Sequence, residues 1–129
     1  MARYGIIKTL ELDYEEAIDK VKEALAKEGF GVLTEIDVKA TLKKKLDKDF
    51  RRYMILGACN PNYAHTALTI ETAIGLLMPC NVIVYENDEG GSTVGALDPA
   101  VAFSVIDNPA LAQLAKEVRD KLESVINSL

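Results

Sequence analysis

The chain has 129 residues, 49% hydrophobic and 27% charged, with a net charge of −5. This size and balance fit one folded domain, 1–129, that buries roughly two-thirds of its unfolded surface without disulfide staples, and they exclude a disordered chain. Net negative charge disfavours broad nucleic-acid binding. The longest apolar stretch, 73–85, is too short and interrupted to span a membrane, and the N-terminus shows no signal segment. With only two cysteines, the chain is therefore expected to be cytoplasmic with reduced thiols.

Tyr4 to Leu10 reads as a first strand. Asp13 can cap a helix, with Glu16 completing an Asp-x-x-Glu variant of the capping box. Tyr14, Ala17, Ile18, Val21 and Leu25 then follow helical spacing, and Gly29 ends the helix. Val32, Thr34, Ile36 and Val38 alternate as one face of a strand, and Asp37 can cap a short helix behind it. Phe50 to Ala58 is a strand, and Asn62 is the expected cap of a helix from Tyr63 to Leu77, ended by Pro79. Val82 to Glu86 is the clearest strand, joined by the turn Asn87–Gly91 to a partner over Ser92–Leu97. Asp98-Pro99 breaks that strand, and Val101 to Ile106 fits no one element. Asn108 and Pro109 start a final helix whose apolar stripe runs from Leu111 to Leu129.

The order is therefore β-α-β-(α)-β-α-β-β-α. The economical fold is α+β: a mainly antiparallel sheet of about five strands with helices packed on one face.

The chemistry-bearing residues gather at two element junctions, Gly57-Ala58-Cys59-Asn60-Pro61 and Pro79-Cys80-Asn81. Cys59 stands just before a helix, where free N–H groups and the helix dipole favour a thiolate; the alternative is a small buried cysteine closing a strand. His65, the one histidine, sits in the first turn, within possible reach of the sulfur. Cys80 reads as a packing residue. A straight crossover helix of about fifteen residues would hold the two thiols roughly 22 Å apart, whereas a chain returning alongside would bring them close. No disulfide between them is expected. Glu71 falls on the apolar side of its helix, so it either reaches water at the stripe's edge or faces a cavity, near Tyr53 or an arginine. Asn60 and Asn81 either fix loops or present amides to a ligand. Two cysteines and one histidine without CxxC or HxxxH spacing make no metal set. No phosphate loop, GxGxxG, GxSxG or HExxH motif occurs either. Residues 39–52 hold seven basic side chains against two acidic ones, spread over several helix faces, which reads as a solvated surface.

The ordered series Gly31–Val38, Thr41-Leu42-Lys43, Arg51-Arg52-Tyr53, Gly57–Pro61, Ala64-His65, Ala67-Leu68, Ile74–Leu77, Pro79–Glu86 and Asp98-Pro99 resembles the DUF302 family over nearly the whole chain. Met78 stands where the usual motif has leucine before Pro-Cys-Asn. The resemblance implies an α+β fold grouped with TBP-like domains, often as a homodimer. It implies no catalytic residue, cofactor or DNA binding.

Three functions follow as expectations. The leading one is a non-enzymatic or weakly enzymatic, homodimeric small-ligand-binding domain. Its pocket would gather Cys59, Asn60, His65, Glu71 and Tyr53, with Cys80 and Asn81 as further candidates. The second is a thiol redox or metal protein using Cys59 with His65 or Cys80. The third is a protein-interaction module using a sheet face or the 39–52 segment.

Overall fold

The structure, a computed structural model, describes residues 3–129. Five strands, β1 (Gly5–Leu10), β2 (Gly31–Asp37), β3 (Tyr53–Cys59), β4 (Cys80–Glu86) and β5 (Ser92–Leu97), form one sheet in the order β1-β5-β4-β3-β2. Every neighbouring pair is antiparallel. The helices are α1 (Tyr14–Lys27), α2 (Val38–Leu46), α3 (Pro61–Ile70), α4 (Pro99–Ala102) and α5 (Pro109–Asn127). The α+β reading therefore holds: helices α1 and α5 lie against the sheet.

Local chemistry sets the element ends. Asp13 accepts the Glu16 N–H at 2.9 Å, and Asp37 accepts that of Ala40 at 2.9 Å, so both aspartates cap as expected. Gly29 follows α1 at φ 84°, a conformation that glycine adopts without strain. Asp98, almost buried, accepts from Ala100 N at 2.9 Å and from Arg119 Nε at 3.0 Å, which ties the start of α4 to α5.

The core is the slab between the sheet and α1 and α5. Leu56, Val82, Val84 and Val94 from the strands meet Val21 and Leu25 of α1 and Leu122 and Ile126 of α5. A second cluster, with Ala67, Ile74, Phe103, Leu111 and Leu114, holds α3 against the start of α5.

Two expectations are corrected, and one open stretch is assigned. The helix expected over Tyr63–Leu77 begins at Pro61, has Asn60 rather than Asn62 at its N-cap position, and stops at Ile70. Thr66 and Thr69 bond back to the carbonyls of Asn62 and His65 at 3.1 and 2.7 Å, a local competition that weakens helices, and the β-branched run Thr69-Ile70 adds to it. The chain extends at Glu71 (φ −142°) and resumes as a 3₁₀ turn over Thr72–Leu77, which turns Ile74 fully into the second cluster. In β2, a bulge between Val32 and Thr34 breaks the expected single face. Val32 pairs with core-facing Ala58, while Thr34 pairs with Gly57 on the opposite face. Finally, 101–106 resolves into the end of α4 and a 3₁₀ turn, Phe103–Val105.

Candidate functional site

The predicted site residues separate into three places. Cys59, Asn60 and Cys80 meet at one corner, because the β3-α3-β4 connection returns antiparallel and pairs Cys80 with Ala58. With Phe30, Tyr63 and Met78 they line a niche of about 40 Å³ whose walls are almost wholly apolar. One water needs about 10–15 Å³, so the niche has room for a few waters and not for a metabolite. Both cysteines are free thiols. Burial first, and then the neighbouring Cys59, pushes the Cys80 thiol up to about 11, so it stays protonated and unreactive at neutral pH. The Asn60 amide reaches the Glu28 carbonyl at 3.4 Å, fastening the corner to the end of α1.

His65 is exposed on α3, and Glu71 sits half-buried at the helix break; neither lines that niche. The expected gathering of Cys59, Asn60, His65, Glu71 and Tyr53 in one pocket is therefore corrected. The break at Glu71 removes it from the helical face that the spacing assumed, and Tyr53 belongs to the other side of the sheet. Among the described residues, no three of His, Cys, Asp and Glu converge as a metal requires. In the basic segment, Lys43 meets Asp47 at 2.9 Å and Asp49 at 3.6 Å, Arg51 meets Asp88, and Arg52 meets Glu86. Three of the seven basic side chains, Lys43, Arg51 and Arg52, are thus paired with carboxylates.

Tyr53 and Asn81 stand on the sheet face that α1 and α5 leave open. Strand alternation fixes that face, since its positions are those between the buried core residues. It carries Ile7 and Thr9 of β1 and Thr93, Gly95 and Leu97 of β5. Asn81, Ile83 and Tyr85 of β4, Tyr53, Ile55 and Gly57 of β3, and Thr34 and Ile36 of β2 complete it. None of these side chains is charged, in a chain that is 27% charged. The charged strand residues Lys8, Glu35, Asp37 and Glu86 alternate onto the helix side, at its periphery. A solvated antiparallel face ordinarily reads polar, whereas strands covered on both sides read as continuous apolar runs. Met54-Ile55-Leu56 and Val82-Ile83-Val84-Tyr85 are such runs.

The face has relief as well as composition. Tyr53 stacks on Tyr85 with ring centroids 5.2 Å apart, Phe50 tilts against Tyr53 at 6.2 Å, and the Arg51 guanidinium lies 5.9 Å from the Tyr85 ring centre. Beside them a hollow of about 260 Å³ opens over β1, β5 and β4, lined by Tyr4, Ile7, Tyr53, Asn81, Ile83 and Gly95 among others. Ile7, Gly95 and Ile83 form one cross-strand row, so the missing side chain at Gly95 makes the low point of the floor. Tyr4, Ile7, Ile83, Tyr85 and Gly95 escaped the sequence reading, which searched for reactive residue types. The available signal was the lack of charge at one face's positions in all five strands.

A family model described as a domain of unknown function, DUF302, matches residues 6–129. The chain is also similar to a crystal structure of an uncharacterized conserved DUF302 protein from Bacillus stearothermophilus. The TM-score is 0.90 and the sequence identity 28%, over 98% of each chain. A search of curated proteins finds no match.

Proposed function

The chain belongs to the DUF302 family, and on that footing we propose that it is a cytoplasmic small-ligand-binding domain that works as a homodimer, with the open sheet face as its working surface. The observation that carries the reading is the absence of charged side chains from the strand positions of that face. Charge is what keeps an apolar surface out of contacts, and its depletion marks the cores of interfaces. The family resemblance supports a second copy as the occupant, and two physical arguments agree. Two chains of net charge −5 repel least where they meet through a patch without acidic groups, and the strand side chains of this face carry none. Five strands about 4.8 Å apart, each about six residues long, span roughly 24 by 20 Å. Two such faces remove roughly 1,000 Å² from water, the least that a specific contact needs. A two-fold pair places the same patch on both copies, so one uncharged set of strand side chains serves both sides of the contact.

Sedimentation velocity tests this directly. The wild-type chain is expected to sediment at twice its 14.1 kDa mass, and Ile83→Lys, with a charge at the centre of the face, at the single mass with its circular dichroism unchanged. A wild-type chain that stays at the single mass at every concentration contradicts the reading.

A further inference from the structure

The hollow over Gly95 has a chemistry of its own. Its floor is hydrocarbon: Ile7 Cγ1 and Ile83 Cγ1 stand 3.3 and 3.4 Å from where a Cβ on Gly95 would sit, so the two isoleucines flank the glycine closely. Its rim is polar without being charged. Tyr53 and Tyr4 supply phenols and Asn81 an amide, and among the described residues none of these side chains hydrogen-bonds to the protein. Burial first, then Tyr85 and Tyr4, raises the Tyr53 phenol above its ordinary value, so it keeps its proton and can donate at neutral pH.

Each property removes a class of ligand. A carboxylate or ammonium group would lie on an apolar floor with no ion of opposite sign lining the hollow. A plain aliphatic molecule would strip water from the phenols and the amide and return no hydrogen bond. A flat neutral ring with a hydrogen-bonding edge meets both demands, because its face covers the floor and its edge reaches the rim.

Building on the ligand-binding reading above, we infer that the hollow bounded by Tyr4, Ile7, Tyr53, Asn81, Ile83 and Gly95 is a binding site for a neutral aromatic or heteroaromatic ring bearing hydrogen-bonding substituents. The corner at Cys59 is not part of that site.

The test uses a matched pair of probes, 4-hydroxybenzamide and 4-hydroxybenzoate, which share a ring and differ in charge. Backbone and methyl NMR spectra of the full chain are followed during each titration. The neutral probe is expected to give saturable shifts at Gly95, Asn81, Ile7 and Ile83, and the anion to bind at least about tenfold more weakly. Asn81 is exposed, so Asn81→Leu keeps the fold; it is expected to weaken the neutral probe by about tenfold, the scale of one lost hydrogen bond. Cys59→Ala is expected to change nothing in the titration. Shifts centred on Cys59 and Cys80, equal binding of the two probes, or no saturation overturns the inference. The mass of the same sample keeps the two claims apart. A dimer without shifts removes the ring site alone. Saturable shifts in a monomer leave the ring site standing and remove the dimer.

Discussion

Glu86 shows how a single side chain ties sheet and loop together. Its carboxylate accepts from Arg52 N at 3.0 Å and from Arg52 Nε at 2.9 Å. The backbone bond, then the guanidinium, holds its pKa below the ordinary 4.5. The same guanidinium lies 5.0 Å from the centre of the Tyr14 ring. The folded state thus favours the charged carboxylate. Its stabilising effect is fully present above pH 4.5 and is lost as pH falls through the lowered folded value. The stability advantage of wild type over Arg52→Ala, read from urea midpoints, is therefore expected to shrink as the pH drops below 4.5; an advantage that grows with acid contradicts the assignment. Residue types alone drew attention to Cys59, Cys80, His65 and Glu71, because reactive groups stand out in a sequence. Their separation depends on α3 stopping at Ile70, a balance of threonine back-bonds and β-branching that helical spacing does not register. Tyr53 and Asn81 were legible as candidates, but their shared face follows only from strand pairing.

Among the elements, caps and turns were the most legible. Asp13, Asp37, Asn108 and Gly29 act where the sequence places them, since each works through its own side chain or φ and its immediate neighbours. Elements that depend on distant partners were less so. The bulge in β2 answers to its pairing with β3, and the 3₁₀ turn after α3 answers to the seat of Ile74 beside Leu111. The two asparagine caps offer a measurable contrast. Asn108 Oδ1 accepts from Ala110 N at 3.0 Å and Leu111 N at 3.4 Å, whereas Asn60 makes no side-chain cap bond and spends its amide on Glu28. Asn108→Ala is expected to cost about 1 kcal/mol in urea unfolding, and Asn60→Ala distinctly less. A larger loss at Asn60 would show the corner to be more than a packed junction.

For the whole molecule, helices on one side leave half of the sheet to be explained. The chain buries one face under α1 and α5 and puts no charged strand residue on the other, and both faces of β3 and β4 read mostly apolar. The fold class and element order were legible because hydrophobic period is a local signal. The strand order β1-β5-β4-β3-β2, which sets Gly95 between Ile7 and Ile83 and so makes the hollow, is a long-range fact no single segment carries.

The most direct measurement is solvent access at the open face, read by a soluble paramagnetic agent on isoleucine, leucine and valine methyl signals. Leu76 and Val105, 88% and 79% exposed away from the sheet, serve as references. At high concentration the methyls of Ile36 and Ile55, outside the hollow, are predicted to broaden far less than those references, and to gain access on dilution or in Ile83→Lys. If Ile36, 47% exposed in the single chain, broadens at every concentration as that exposure alone dictates, the face is bare in solution and the account fails.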